Sequence, residues 1–328
     1  MASQPAGAYG PDDDIVDYIL GITFEIWEQR QVDLIHRYYA KDCVIWGLDG
    51  ITHGAQAVVD ATAKTLECFP DRLLIAEDVI WSHDADGSQY SSHRLHSTAT
   101  NTSATAFGPA TGERIRMTNI ADCVIENGMV TREWLVRDNL TLALQLGAEP
   151  LSAARKMAAA RTDEHGQWLA DEITRVAGSD ELADSAAPDP QTVPVDYARW
   201  VLNALWGGNA VDTARCYAPY CVLHRSPLVH VSGRDNIARH YERMRFAFGD
   251  IAVSVDHVAV QPHATNQVDL AVRWTLAGTH RNPYGPAEPS GRHALILGVS
   301  HWRCLGPRIV MEHTVFDELA LLSQLVAP

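Results

Sequence analysis

The 328-residue sequence has no run of 18 apolar residues, so no stretch of it reads as a membrane-spanning helix. It has no CxxC pair. The six cysteines (Cys43, Cys68, Cys123, Cys216, Cys221 and Cys304) stand singly inside hydrophobic runs, which predicts buried reduced thiols and not a disulfide framework or a zinc site. Basic residues are in deficit: 26 Lys and Arg stand against 41 Asp and Glu, a formal charge of -15, and a surface of that sign repels a nucleic-acid backbone. The opening stretch, Met1 to Asp14, is small and acidic and lacks the basic start and apolar core of a secretory leader. P-loop, dinucleotide glycine fingerprint and HExxH are missing too. These absences lead us to expect a cytoplasmic protein with no cofactor, no metal, no nucleic-acid partner and no membrane.

What the sequence does contain is itself, twice. Shifted by 179 residues, Gly54 falls on Gly233, Phe69 on Phe248, Asp71 on Asp250, Arg94 on Arg273, Glu133 on Glu312 and Asp138 on Asp317. The register slips in one loop, GPATG against GPAEPSG, and upstream, where YYAKDCV meets CYAPYCV at a shift of 178. Matches that track turns, strands and helices together indicate a duplicated domain. Each copy opens on apolar residues at helical spacing (Ile15, Tyr18, Ile19, Ile22, Ile26; Tyr197, Trp200, Val201, Ala204). A short strand, a second helix, four strands and a leucine-rich helix follow. Asn127-Gly128 and Gly306-Pro307 mark equivalent hairpin turns. The expected fold is α+β, two tandem cone-shaped domains, each a curved antiparallel sheet with helices on one face. The boundaries are 13–148 and 195–328, with 149–194 as a helical connector followed by an acidic, proline-containing linker.

The strings VRWTLAGTH, GPRIVMEHTVFDELALLSQL, YYAKDCVIWGLDGITHG, AFGPATGERIRMTNIADCVIENG and EWLVRDN resemble the SnoaL-like polyketide cyclases (the ester cyclase-like group) of the nuclear transport factor 2-like superfamily. That resemblance implies an apolar pocket between helices and sheet, holding one carboxylate and a few polar donors. It further implies cofactor-independent acid–base chemistry on a small apolar carbonyl compound, as a cyclase, isomerase or lyase. A non-catalytic small-molecule-binding or accessory protein is the alternative, and an epoxide-hydrolase-like enzyme using Arg94 with Asp122 and Asp138 is a second. Relatives with one copy pair through their sheets, which implies an intrachain pseudo-dimer here, with a homodimer of such pairs also open. The family's catalytic aspartate precedes a second aspartate by three residues. In this sequence Asp138 and Asp317 keep the second, while Leu135 and Thr314 occupy the first.

Alternation in the last strand puts Glu133, Leu135 and Arg137 on one face and Trp134, Val136 and Asp138 on the other. If the Leu135 face lines the pocket, Glu133 is the replacement carboxylate and Arg137 an anion clamp; otherwise Glu133 is an exposed residue paired with an arginine. Asp138 and Asp317 each precede a helix and are expected to cap it, with catalysis by Asp138 as a second role. Asp122 stands among apolar residues opposite His301 in the register; the default is a locally satisfied polar residue, and the alternatives are that either lines its own pocket, His301 as a substrate-binding candidate, or that the two meet between the halves. His93 is a further catalytic candidate. Trp46, Trp81, Trp134 and Arg94 are candidates for substrate binding, with core packing as the default for tryptophan and a structural ion pair as the default for Arg94.

Overall fold

The computed structural model describes residues 14–178, 187–226 and 228–326, so part of the expected acidic linker lies outside the described residues. The repeat register becomes two sets of elements in the same order. In the first, α1 (Ile15–Thr23) continues into a π-helical turn (Phe24–Glu28), a 3-10 turn (Val32–Leu34) and α2 (Ile35–Tyr38). Then come β1 (Tyr39–Gly47), β2 (Gly50–His53), α3 (Ala55–Cys68), β3 (Leu73–His83), β4 (Gln89–Thr100), β5 (Arg114–Glu126), β6 (Met129–Arg137) and α4 (Asn139–Gln145). The connector supplies α5 (Pro150–Ala159) and α6 (Asp163–Ala177). The second set is α7 (Pro194–Trp206), α8 (Ala210–Cys216), β7 (Tyr217–Arg225), β8 (Val229–Ser232), α9 (Arg234–Ala247), β9 (Phe248–Ala264), β10 (Gln267–His280), β11 (His293–Leu305), β12 (Arg308–Phe316) and α10 (Glu318–Leu325).

Each set makes a six-stranded sheet, in the orders β2-β1-β6-β5-β4-β3 and β8-β7-β12-β11-β10-β9. The four long strands form the expected antiparallel meander. The short first strand joins it parallel to the last, β1 to β6 and β7 to β12, so both sheets are mixed. The strands β2 and β8, unforeseen in the sequence, fold back on β1 and β7 as hairpins. Asn127 and Gly128 both adopt left-handed backbone (φ 52° and 74°), the conformation a tight hairpin requires to match strand twist. Asp138 and Asp317 cap the closing helices, accepting from the backbone N–H groups of Thr141 (3.1 Å) and Ala320 (2.9 Å). The six cysteines are free, five of them buried. No described helix is long and apolar enough to cross a membrane.

The helices of each set cover one sheet face, and the other faces meet. Ile80, Tyr90 and Val124 of the first sheet pack with Ala259 and Ala271 of the second. Asp122, fully buried, accepts a hydrogen bond from Tyr90 and pairs with Arg273 at 3.7 Å. The Arg273 guanidinium lies 3.4 Å from the centroid of the Trp134 ring, which stacks on Trp46. His301 shares hydrogen bonds with Ser92 (2.8 Å) and Asp78 (3.3 Å). The seam is pseudo-symmetric: the repeat puts Asp78 on His257, Asp122 on His301 and Trp134 on His313 at a shift of 179 and, at the upstream shift of 178, Trp46 on His224, so the Trp46–Trp134 stack matches the His224–His313 stack. Asp122 and His301 therefore both stand between the halves, but paired with other residues and not with each other.

The connector belongs with the second half. Ala153, Ala154, Leu169 and Val176 join that half's core, and Arg175 of α6 ties to Asp256 (3.1 Å) and Ser254 (3.1 Å) of β9. The matching face of the first sheet carries a cleft of about 520 Å³, lined by Ile75, His96, Thr98, Arg114, Ile115 and Arg116.

Removing one member of a buried ion pair strands its partner, at a cost of about 3–5 kcal/mol. Asp122→Ala should therefore lower the free energy of urea unfolding by about 3 kcal/mol. A change below 0.5 kcal/mol, on the scale of an ordinary surface substitution, would show that the seam does not depend on this pair.

Candidate functional site

The two inner sheet faces can be compared row by row, because cross-strand partners share a face. In the first half the rows are Ser91–Cys123–Glu133, His93–Ala121–Leu135 and Leu95–Asn119–Arg137. In the second they are Leu270–Trp302–Glu312, Val272–Ser300–Thr314 and Trp274–Gly298–Phe316. The second set carries Trp302, Trp274 and Phe316 where the first has Cys123, Leu95 and Arg137. The Trp274 indole lies flat over Gly298, so close that a Cβ there would come within 2.3 Å of it. Trp206 packs against Trp274 and Tyr241, with centroids 5.7 and 5.5 Å apart. This interior is solid: Ser300, Thr314 and Phe316 are 1%, 2% and 0% exposed.

The first interior is less completely buried. Ala121 and Leu135, mid-sheet and beneath helices, both keep solvent-accessible surface, as do Val79 and Trp81 beside them. Three buried polar atoms on this face, Ser91 Oγ, His93 Nε2 and Asn119 Oδ1, have no hydrogen-bond partner in the structure. Buried polar groups are nearly always satisfied, so three orphans on one face point to a ligand or water that completes them.

The same contrast appears at the one carboxylate that the two sets of rows share. Glu312 is clamped by three hydroxyls, from Tyr217, Tyr241 (2.7 Å) and Thr314. At Glu133 only Tyr39 remains, donating to Oε2 at 2.9 Å, because Thr62 and Leu135 replace the other two donors. Glu133 is 4% exposed. Burial raises its pKa above the usual carboxylate value, and the Tyr39 hydrogen bond and the Arg137 charge only partly offset that. His93 is 3% exposed, and burial, with His301 nearby, depresses its pKa to about 4. It is a neutral imidazole at ordinary pH. Burial also raises Asp138, to about 6, against the opposing Thr141 hydrogen bonds.

Of the sequence candidates, the inner face of the first half brings together Glu133, His93, Trp81 and Arg137. It does not include Asp122, Arg94, Trp46, Trp134 or His301, which lie on the seam. Arg94 pairs there with Glu77 and Asp78 of its own strand neighbourhood, and Asp138 caps α4. The Asp–Arg–Asp trio of the epoxide-hydrolase alternative therefore does not converge. The sequence reading passed over Ser91, Asn119, Tyr39 and Arg72. Arg72 precedes β3, and its Nε donates to Ser97 Oγ at 2.9 Å while its guanidinium lies 4.8 Å from the Trp27 ring centroid. Its counterpart in the second copy is Ile251, an asymmetry that was available in the register. A cleft of about 640 Å³ between α7, α8 and α9, like the one on the first sheet, touches neither Glu133 nor His93. Among the described residues no group of three or more His, Cys, Asp or Glu is arranged to hold a metal ion.

The family model for SnoaL-like polyketide cyclases matches residues 19–146 and again residues 196–325, and the chain belongs to that family, with two tandem domains. Among solved structures it is similar to IdmH from Streptomyces antibioticus, at 22% identity over 43% of this chain and 100% of that one, with a TM-score of 0.36. It is also similar to a SnoaL-like polyketide cyclase from Agrobacterium tumefaciens, at 21% identity over 41% of this chain and 99% of that one, with a TM-score of 0.35. No curated protein matches the sequence.

A histidine whose folded pKa is depressed contributes stability that is complete above its unfolded pKa of about 6.5 and is lost as pH falls through the folded value, near 4 for His93. His93→Gln removes that group. The variant's stability relative to the parent should improve by about 3 kcal/mol between pH 7 and pH 4, read from urea unfolding at each pH. A pH-independent difference would show that His93 is not held neutral.

Proposed function

From this family membership we propose that the first half is a cofactor-independent acid–base enzyme, a cyclase, isomerase or lyase acting on a small apolar carbonyl compound. The second half is its solid structural partner. One observation carries the reading: the same buried glutamate is saturated by three hydroxyls in the filled half and left with one in the other, where burial raises its pKa.

A carboxylate with a raised pKa is a better match for a carbon-bound proton than one in water. Glu133 takes the proton α to the carbonyl. Tyr39 holds the carboxylate in place through its hydroxyl, and the Ile26, Ile45 and Val58 cluster on this side keeps the site apolar. The negative charge that develops on the carbonyl oxygen needs donors that are fixed before the reaction starts. Ser91 and neutral His93 occupy β4, two strands from Glu133 on β6. With strands about 4.8 Å apart, they stand across the interior from the base, a separation that a bicyclic carbonyl compound spans. A neutral imidazole donates to a developing enolate without first being desolvated as a cation. Leu135 takes the place of the family's usual aspartate, and Glu133 sits one pleat further along the same face.

Deuterium exchange at C2 of 1-tetralone in D2O, followed by proton NMR, tests this without knowing the natural substrate. The expected outcome is catalysed exchange whose rate rises with pH and levels off above the ordinary carboxylate range. Glu133→Gln should reduce it by about 10²–10⁴-fold, and Glu312→Gln should leave it within a few-fold of the parent provided the variant folds. Exchange that survives Glu133→Gln would overturn the assignment of the base.

A further inference from the structure

The charges around the inner face of the first half do not balance. Arg137, at its wide end, is paired with Asp49 at 3.1 Å, and Asn139 also donates to that carboxylate at 3.0 Å. Arg72 approaches from the other side, through Ser97 on β4. No ion pair to a carboxylate reaches Arg72 among the described residues; its partners are the Ser97 hydroxyl and the Trp27 ring. Burial and the like charges of Arg137 and Arg30 acidify its guanidinium, to about 9. Of the two guanidinium groups at the edge of this interior, only that of Arg137 is paired with a carboxylate. Between them, in the same cross-strand row as Arg137, stands Asn119, 3% exposed and with its Oδ1 unpartnered. An amide can turn to offer either end, so Asn119 is a free polar group beside two cations. The second half has none of this: Ile251, Gly298 and Phe316 occupy the positions of Arg72, Asn119 and Arg137.

We infer that the first interior takes a substrate whose apolar body carries a carboxylate, seated on Arg72 and Arg137 with Asn119 beside it and the reacting carbon turned towards Glu133. The inference deepens the acid–base reading of this site and rests on it. The chemistry follows from the partners present. A desolvated guanidinium gains most from a planar anion that it can meet with two parallel N–H groups. The Trp27 ring fixes the plane of Arg72 in advance. A carboxylate held at the wide end also orients the rest of the molecule along the rows towards Ser91 and Glu133, which is what positioning contributes to rate.

Isothermal titration of the full chain with 2-naphthoate, 2-naphthamide and acetate tests the inference. The parent protein should bind 2-naphthoate at least tenfold more tightly than 2-naphthamide or acetate. Arg72→Met should erase the preference for naphthoate over its amide, and Arg72→Lys should keep part of it. Equal affinity of the parent for naphthoate and naphthamide would overturn the inference even if Arg72→Met fails to fold. So would acetate binding as tightly as naphthoate, which marks a site for free anions only, or the absence of naphthoate binding. Loss of tetralone exchange with the naphthoate preference intact would count against the acid–base reading alone. Tetralone exchange without any naphthoate preference would count against the carboxylate alone.

Discussion

A guanidinium removed from water dictates what must surround it, and the seam between the two sheets is built on that demand. Arg273 reaches across to the Asp122 carboxylate and lies on the face of Trp134, with Tyr90 completing the carboxylate's hydrogen bonding. Arg94, its counterpart, is paired with Glu77 and Asp78, and its charge helps to hold His313 neutral, after burial, at a pKa of about 3. A buried charge that lacks its partner is expensive, so Arg273, paired with Asp122 of the other sheet, constrains both halves at once. The closing helices are tied in as well, through Asn139 and Asp317.

With the outer faces committed to each other, the inner faces are free to differ. In the second half, indoles and phenyl rings fill the cone and Glu312 is a structural acceptor. In the first, Cys123, Leu95 and Arg137 stand where the second has Trp302, Trp274 and Phe316, and Glu133 accepts from the Tyr39 hydroxyl alone among the described residues. The two halves are thus unlike: a densely filled body with α5 and α6 built into its core, and a less completely buried one held against it. Natural proteins place strained or unsatisfied groups where the surrounding structure can support them. Here the support comes from a neighbouring copy of the same fold.

The duplication, the element order, the helix caps and the face on which Glu133 and Leu135 lie were all legible in the sequence, because repeat register and period-two alternation are local signals. The short strands β2 and β8 were not, since four residues carry too little pattern to stand out. The less completely buried half was not legible either. Its identity depends on volumes summed across three strands, such as the Trp274 indole that reaches Gly298, and no single position shows that sum. Asp122 and His301 stand out in the sequence as polar residues in apolar strands, but their partners, Arg273 and Tyr90 for one and Ser92 and Asp78 for the other, depend on how the two sheets are offset. Arg72 escaped notice because it lies just before a strand and belongs to no motif. Its significance comes only from Trp27, Ser97 and Arg137, which are far from it in the chain.

The joining of both copies in one polypeptide has a consequence for how such a site could arise. In an association of identical chains, every substitution appears on both sides of the symmetry axis. An indole that plugs one cavity would plug both, and a hole opened in one subunit would weaken both. A tandem chain breaks that equivalence. Each position of the fold is written twice and can be altered once, so the plugging of one cone and the emptying of the other become separate historical events, and either can be tolerated while its neighbour stays as it was.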